Sequence, residues 1–319
     1  MLAVAVILFP QARNNGRSGQ TEQNDKNGGS GQTETAAKMD REGDKASAAG
    51  DAGDAGAVGG AEAAGDSGNV ASRGAAGDAE AAGDAEAVSY AQLAALSDDS
   101  LLLINGDFEI PQNIRGALAN VAHYVKTLDS GLELNKDALI AISEMFAAAA
   151  DIGYDEFRVT EGRRTREYQQ SLYDKAEDKS FVARPGHSEH ETGLAADISF
   201  EGVNIANSAQ GTWLADNSYK YGLILRYPSD KTHITGMSYE PWHFRYVGQP
   251  HAHYCFANNL CMEEYIELLK RRGSVSASFN GADYTIHYID GGGFEFITGY
   301  SYDISLDNTG GVIVTSRAG

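Results

Sequence analysis

The pattern of apolar and polar positions predicts an α+β domain between residues 90 and 273. Apolar residues at helical spacing run from Leu134 to Ala150, and Asn135 is suited to cap that helix. Further helices are predicted at Arg164–Lys175, Thr212–Tyr221 and Cys261–Arg271. Strands are predicted at Phe157–Glu161, Ala195–Phe200, Leu223–Arg226 and His243–Val247. Because strands and helices do not alternate regularly and the sequence has no glycine-rich phosphate loop, a doubly wound fold is not expected.

A different pattern occupies residues 274–319. Asn280-Gly281 separates Val275–Phe279 from Asp283–Ile289, and this dipeptide between alternating segments is the strongest short signal for a hairpin. Two more strands are predicted at Phe294–Thr298 and Gly311–Thr315. We therefore expect a small antiparallel β-hairpin appendage, which serves either as a structural cap or as part of a binding surface.

The first 90 residues lack the side chains that build a core. They contain 16 of the 37 glycines but only two of the 29 aromatic residues, Phe9 and Tyr90. Such a segment cannot bury enough apolar surface to offset its backbone entropy. Between Ala46 and Tyr90, eight acidic residues accompany a single base, Arg73. We expect residues 1–89 to form a disordered, self-repelling tether, which leaves about 229 residues for folded structure.

The run Met1–Phe9 (MLAVAVILF) is too short to span a bilayer and lacks the basic region of a typical signal sequence. We interpret it as the remnant of a signal or anchor helix, or as a poor signal peptide, with an accidental apolar start to a cytoplasmic protein as the alternative. No stretch of 18 apolar residues occurs in the sequence, so no complete transmembrane helix is expected. An apolar segment followed by a tether favours an extracytoplasmic protein that is secreted or membrane-anchored.

The charge balance is strongly acidic, with 45 Asp and Glu against 25 Lys and Arg and a formal net charge of −20. A protein that binds nucleic acid needs a basic face for the phosphate backbone, so nucleic acid is not an expected partner. Contact with a membrane is expected only through the N-terminal anchor, and the protein is expected to be a monomer.

Two segments bring histidines and carboxylates together. The first runs from Pro185 to Asp197 (PGHSEHETGLAAD) and the second from Glu240 to Gly248 (EPWHFRYVG). In the predicted strands, Asp197 and His243 each lie on a polar face that backs onto an apolar one. Gly193 permits a tight turn that folds His190 back toward Asp197. If the two strands are neighbours, His190, Asp197 and His243 converge, with Glu240 nearby.

Two histidines and one carboxylate suit a catalytic Zn²⁺ site, in which a fourth position stays open for water. The ion lowers the pKa of that water to about 7, and a carboxylate beside it then acts as the general base. Glu240 is the candidate for this role. On spacing alone, a buried core histidine with a turn or capping aspartate explains the first segment equally well.

Both segments resemble the paired signatures of the VanY-type D-alanyl-D-alanine carboxypeptidases, the zinc D,D-/L,D-carboxypeptidases that trim peptidoglycan stem peptides. The pattern Ser-x-His-x-x-Gly-x-Ala-x-Asp is met by Ser188, His190, Gly193, Ala195 and Asp197. The pattern Glu-x-Trp-His is met by Glu240, Trp242 and His243. The similarity runs from Leu101 to Leu269. It implies a hedgehog/D,D-peptidase-like fold with a central antiparallel sheet, a zinc site and a catalytic glutamate. The implied zinc ligands are His190, Asp197 and His243, and the implied base is Glu240.

The resemblance also implies substrate contacts. The family pattern Ser-Gly-aromatic-Arg-Ser, with a glutamine five residues after the arginine, corresponds to Glu161-Gly-Arg-Arg164-Thr165 and Gln169. Gly162, Arg164 and Gln169 match, whereas Glu161 and Arg163 depart. Arg164 would lie over the scissile carbonyl or the terminal carboxylate of the substrate, Gln169 would hold the last residue, and Ser188 and Trp242 are further substrate-binding candidates. A guanidinium suits this role because it binds a carboxylate in a bidentate fork; a surface salt bridge is the alternative for Arg164.

Cys255 and Cys261 lie on either side of Phe-Ala-Asn-Asn-Leu, just before the helix predicted from Cys261. In an exported protein we expect a disulfide between them, and closing so short a loop would stabilise the fold by roughly 2 kcal/mol. Two inert free thiols are the alternative.

The sequence therefore predicts an extracytoplasmic zinc carboxypeptidase that releases the C-terminal D-Ala from stem peptides. An L,D-carboxypeptidase and an endopeptidase that cuts cross-links share the same motifs. A non-catalytic wall-binding module on the same fold is a rival of a different class. The presence of Glu240 counts against that rival, because a binding module has no use for a base beside the metal. If the appendage has a binding role, wall polymer is its expected ligand.

Overall fold

The structure is a computed structural model that describes residues 85–319. The apolar run at residues 1–9 and the expected tether up to residue 84 lie outside the described residues, whereas residues 85–89, expected to be the end of that tether, form a strand that pairs with Gly293–Ile297. Within the described range, the helices are α1 (Tyr90–Leu96), α2 (Lys136–Ala150), α3 (Arg166–Lys175), α4 (Ala209–Asn217), α5 (Thr232–Thr235), α6 (Gln249–Ala257) and α7 (Met262–Arg272). The first seven strands are β1 (Ala85–Ser89), β2 (Leu118–Asn120), β3 (Glu133–Asn135), β4 (Phe157–Glu161), β5 (Ala195–Phe200), β6 (Leu223–Leu225) and β7 (His243–Tyr246). The remaining strands are β8 (Ser274–Phe279), β9 (Ala282–Ile289), β10 (Gly293–Ile297), β11 (Tyr300–Leu306) and β12 (Val312–Ala318).

The central sheet is antiparallel, with the strand order β4-β5-β7-β6. Strands β5 and β7 are neighbours, and their register places Asp197 opposite His243. Because side chains alternate along a strand, Ile198 and Phe244 point to the other face, where they pack with residues of α2 in one buried cluster. The predicted mixture of helices and antiparallel sheet is confirmed, and the sheet carries Asp197 and His243 on its polar face.

Helix α2 begins where the sequence predicts its cap. The side chain of Asn135 accepts hydrogen bonds from the backbone N–H groups of Asp137 and Ala138, at 2.9 and 3.4 Å. These N–H groups have no partner within the helix, so the cap satisfies them. The helix thereby starts at a fixed position against the central sheet.

A second antiparallel sheet has the order β11-β12-β9-β8. Strands β8 and β9 form the predicted hairpin, in which Asn280 and Gly281 have φ values of 51° and 74°. Positive φ at both central residues is what a tight hairpin turn of this kind requires. Ile286 and Ile313 of this sheet belong to the same buried cluster as Tyr265 and Leu269 of α7. The strands after residue 273 therefore share a core with the helices that precede them.

The segment between α1 and β2 also contacts the second sheet. The N–H of Leu101 donates to Oγ of Ser305 at 2.9 Å, and the N–H of Leu103 donates to the carbonyl oxygen of Asp307 at 3.0 Å. Strand β1 pairs with β10 in a separate two-stranded sheet. None of the helices within residues 85–319 is long and apolar enough to cross a membrane.

The observed helices differ from the predicted ones in their bounds. The helix predicted from Arg164 begins at Arg166, because the hydroxyl of Thr165 accepts the N–H of Tyr168 and caps the first turn. The helix predicted to end at Tyr221 is divided into α4 and a 3₁₀ turn, Ser218–Tyr221. Arg164 therefore precedes the helix that carries Gln169.

Candidate active site

His190 is held by a short turn that leads into β5. The 3₁₀ turn Glu189–Thr192 ends at Gly193, whose φ of 76° lies in the left-handed region that favours glycine. A Cβ atom at Gly193 would lie 3.0 Å from both the backbone nitrogen of Asn135 and Cδ2 of Leu118. The tight turn predicted at Gly193 is confirmed, and it brings His190 over the strand that carries Asp197.

His190, Asp197 and His243 converge in the structure. Oδ1 of Asp197 lies 3.3 Å from Nε2 of His190 and 3.2 Å from Nδ1 of His243. The two imidazole rings are nearly perpendicular, with centroids 4.8 Å apart. One candidate ligand atom from each of the three residues lies within 4.8 Å of the other two. The three residues predicted as metal ligands are therefore close enough to bind one ion.

The hydrogen bonds of His190 indicate which ring nitrogen is free. Its Nδ1 lies 2.9 Å from the carbonyl oxygen of Gly162, and a carbonyl only accepts, so Nδ1 carries the proton. Nε2 then directs its lone pair at Asp197, whose Oδ1 is buried and makes no well-aligned hydrogen bond within the described residues. A lone pair and a carboxylate oxygen that face each other are stabilised by a cation between them. This donor set fits Zn²⁺.

Burial and neighbouring charges shift the pKa of all three groups. Burial lowers the pKa of His190. Burial also opposes protonation of His243, but the carboxylates of Asp197 and Glu189, which face its two ring nitrogens, outweigh it and raise the pKa of His243 to about 9. Burial alone would raise the pKa of Asp197, yet the two histidines hold it far below its usual range. The site therefore keeps Asp197 ionised and attracts positive charge.

Glu240 lies beside this cluster, just before β7. Its Oε2 is 3.6 Å from Nδ1 of His243, and the residue is only 4% exposed. Burial raises the pKa of Glu240 to about 7, with a further contribution from the charge of Asp197. A carboxyl group that titrates near neutral pH can both accept and return a proton. Its position and pKa suit a general base.

Arg164 contacts the same cluster from the end of β4. Its Nε lies 3.1 Å from Oε2 of Glu161, its Nη1 3.3 Å from Oε1 of Gln169, and its Nη2 3.5 Å from Oδ2 of Asp197. A cleft of about 900 Å³ opens next to Arg164, although its lining does not include the two histidines. Arg164 is therefore placed to reach a molecule that enters from this cleft.

Gln169 lies behind Arg164 and not at the surface of the site. Its side chain is fully buried, its Nε2 donates to the carbonyl oxygen of Ala183 at 2.7 Å, and its Oε1 accepts from Arg164. Both ends of the amide are thus occupied by the protein. Gln169 therefore contacts Arg164 in the structure, and its contact with a substrate stays a prediction.

The other two candidate substrate contacts are near the cluster. Ser188 is buried immediately before the turn that carries His190. Trp242 is half-buried, and its ring stacks on that of Phe181 with centroids 6.5 Å apart. Their contact with a substrate stays a prediction.

The disulfide expected between Cys255 and Cys261 is not formed, and both residues are buried free thiols. Cys255 packs in the apolar cluster around α6 and α7, whereas Cys261 is the N-cap of α7 and its N–H donates to Glu264 at 3.0 Å. Burial raises the pKa of Cys261 to about 12. The thiol is therefore neither a nucleophile nor a metal ligand, as in the alternative interpretation of two inert cysteines.

Sequence reasoning missed a buried ion-pair network beneath His243. Nε of Arg226 and Nη1 of Arg245 donate to Oε1 of Glu189 at 2.8 and 2.9 Å, and all three side chains are fully buried. A signal was available, because Arg245 follows His243 by two positions and so lies on the same face of the strand. Glu189 likewise immediately precedes His190.

Comparison with known proteins places the chain among peptidases. The family model described as VanY, D-alanyl-D-alanine carboxypeptidase, matches residues 131–249. The D-alanyl-D-alanine carboxypeptidase of Enterococcus faecium is 35% identical over 226 residues, which cover 68% of this chain and 74% of the relative. A protein of the same description from Enterococcus faecalis is 37% identical over 187 residues, which cover 54% of this chain and 67% of the relative.

A solved structure has the same fold. The vancomycin resistance D,D-dipeptidase VanXYg, in complex with a D-Ala-D-Ala phosphinate analogue, superposes with a TM-score of 0.62 and 24% identity. The match covers 73% of this chain and 98% of that protein, and at this identity it shows the fold alone. The sequence identity to the Enterococcus faecium enzyme shows more than the fold. It shows that the chain belongs to the VanY family of D-alanyl-D-alanine carboxypeptidases, a family of metallo-carboxypeptidases.

Proposed function

We propose that this chain is a zinc-dependent carboxypeptidase that releases the C-terminal D-Ala from peptidoglycan stem peptides ending in D-Ala-D-Ala. The observation that carries the proposal is the convergence of His190, Asp197 and His243 on one point, with Glu240 beside them. Both Enterococcus relatives are described as D-alanyl-D-alanine carboxypeptidases, which supports D-Ala-D-Ala termini as the substrate. Because stem peptides belong to the cell wall, we place the enzyme outside the cytoplasm.

His190, Asp197 and His243 would hold the ion. When bound, Zn²⁺ supplies a Lewis acid that polarises the scissile carbonyl and acidifies water. Glu240 accepts the proton of the attacking water and later delivers it to the leaving amine of D-Ala. Its raised pKa suits both transfers, since a base near neutral pH also becomes an effective acid once it is protonated.

Arg164 binds the substrate in this proposal. Its guanidinium reaches the cluster through Asp197 and borders the neighbouring cleft, so it can bind the terminal carboxylate or stabilise negative charge on the carbonyl oxygen. Gln169 holds Arg164 from behind. Ser188 and Trp242 are further substrate contacts in this proposal, and the Trp242–Phe181 pair offers apolar surface.

The test is to incubate the zinc-loaded full chain with stem tetrapeptide, stem pentapeptide and a cross-linked dimer, and to follow D-Ala release by mass spectrometry. The Glu240→Ala variant is the control. We expect release of D-Ala from the pentapeptide by the wild type alone. Release from the tetrapeptide in preference would indicate an L,D-carboxypeptidase, and cleavage of the dimer alone an endopeptidase. Retention on purified wall without any hydrolysis would indicate a binding module.

A further inference from the structure

We infer that Glu189 is a positioning residue for the metal centre, which orients the imidazole of His243 through its Nε2–H. The inference rests on the proposed zinc site. Oε2 of Glu189 lies 3.5 Å from Nε2 of His243, on the side of the ring opposite Asp197. Neither atom has a hydrogen-bond partner elsewhere in the described part of the chain, and both are buried.

The two oxygens of Glu189 have separate tasks. Oε1 accepts hydrogen bonds from both Arg226 and Arg245, at 2.8 and 2.9 Å. These contacts fix the carboxylate and leave Oε2 directed at His243. A buried carboxylate without partners would be unstable. The two arginines therefore stabilise the negative charge of Glu189 next to His243.

The arginines are themselves fixed. Nη1 and Nη2 of Arg226 form a bidentate pair with Glu263, at 2.9 and 2.7 Å. Nη2 of Arg245 donates to the backbone carbonyl oxygens of Ser100 and Leu102, at 3.0 and 3.1 Å. The two arginines and two glutamates therefore form an ion-pair network without net charge, which supports the ring of His243.

The contact with Glu189 determines which ring nitrogen of His243 carries the proton. A carboxylate only accepts hydrogen bonds, so Glu189 favours the form of His243 with its proton on Nε2. Nδ1 then directs its lone pair at the position shared with Asp197 and His190. Metal-bound histidines commonly donate their other N–H to a carboxylate, which fixes the ring and makes the ligand more basic.

The test compares Glu189→Gln with Glu263→Gln in the full chain. Both variants replace a glutamate that contacts Arg226, but only Glu189 faces His243. Zn²⁺ affinity is measured by competition with a chelator, and the Co²⁺-substituted proteins are compared by their visible absorption spectra. We expect Glu189→Gln to weaken Zn²⁺ binding by about 10- to 100-fold and to alter the Co²⁺ spectrum, with Glu263→Gln near wild type.

A second measurement serves if Glu189→Gln does not fold. Nitrogen NMR of the wild type loaded with ¹¹³Cd²⁺ should show coupling of the metal to Nδ1 of His243 and a proton on Nε2. Coupling to Nε2 would overturn the inference, as would equal metal affinity in folded Glu189→Gln and wild type, or equal losses in both variants. Those outcomes leave the zinc site intact, whereas a wild type that binds no Zn²⁺ overturns the proposed function together with the inference.

Discussion

Arg164 donates from Nε to Oε2 of Glu161 at 3.1 Å, so the guanidinium proposed to bind substrate is already paired with a carboxylate of its own chain. Glu161 occupies the position where the family pattern has a serine. Its side chain is about one-third exposed and shares Arg164 with Asp197 and Gln169. A substrate carboxylate that approaches Arg164 therefore meets a competing negative charge.

Replacing Glu161 with glutamine should improve binding of free-acid peptides. The amide keeps a hydrogen-bond acceptor for Arg164 but removes the charge, and a partly exposed ion pair of this kind contributes about 0.2–1 kcal/mol. We expect the KM of the pentapeptide to fall by up to about fivefold. A C-terminally amidated pentapeptide is the control, and its KM should not change. An equal change for both peptides would mean that Glu161 does not act through the substrate carboxylate.

The terminal carboxylate itself should matter for turnover. A bidentate arginine–carboxylate contact in a partly dry site contributes on the order of 1.5–3 kcal/mol, so amidating the peptide should reduce kcat/KM by about 10- to 100-fold. Arg164→Lys should fall between wild type and Arg164→Ala, because lysine keeps the charge but loses the fork. Steady-state kinetics on both peptides measures this. Equal cleavage of amidated and free-acid peptides would favour the endopeptidase alternative.

His190→Ala and His243→Ala should each lose zinc. Each removes one of the three candidate ligands, and two ligands do not form a stable site for the ion. Metal analysis after dialysis provides the measurement, and His233→Ala, which changes an exposed histidine, provides the control. A full zinc complement in either variant would exclude that residue from the ligand set.

Glu240→Gln should keep zinc and fold but lose about 10²–10⁴-fold in kcat, since that is the usual contribution of a general base. The base must be ionised, so kcat/KM of the wild type should rise with pH through the pKa of Glu240. A bound cation favours the carboxylate, which places this rise between the ordinary value of 4.5 and the value of about 7 set by burial. The residual activity of Glu240→Gln should lack that dependence. A retained rise would assign it to another group.

Gly193→Ala should destabilise both the fold and the site. A left-handed conformation costs an alanine about 1–2 kcal/mol, and here the added Cβ also meets a backbone nitrogen at 3.0 Å. Gly153→Ala is the matched control, because Gly153 also has a positive φ, 88°, but no atom near its Cβ position. Urea denaturation should show a larger loss for Gly193→Ala, and only that variant should bind Zn²⁺ more weakly. Equal losses of unfolding free energy in the two variants would show that the close contact at the Gly193 Cβ position does not affect stability.

The candidate site was predictable from the sequence to the extent that local rules determine it. Alternation in β5 and β7 placed Asp197 and His243 on one face, and Gly193 indicated the turn that returns His190. The alternation alone does not determine which strands pair. Because β5 and β7 are neighbours, Asp197 and His243 lie side by side and the turn at Gly193 brings His190 to them.

The parts that sequence reasoning missed depend on distant contacts. Arg245 within a strand is typical of a solvent-facing residue, and its complete burial is explained by distant partners, Glu189 at 56 positions and the carbonyl oxygens of Ser100 and Leu102. Strand β11 was not predicted, although Tyr300–Leu306 alternates apolar and polar residues as a half-buried strand does. The disulfide prediction was wrong because proximity in sequence and an exported location do not determine which way two side chains pack.

The contacts between the start and the end of the described chain affect how the protein is made. The hydroxyl of Ser305 donates to the carbonyl oxygen of Asp98 across 207 positions, and β1 pairs with β10 at a similar separation. At synthesis rates of about 5–20 residues per second, the ribosome needs roughly 10–40 s to add that many residues. Strand β1 and the apolar residues after it therefore remain without their native partners throughout this interval, and folding of this protein finishes after most of its translation and not alongside it.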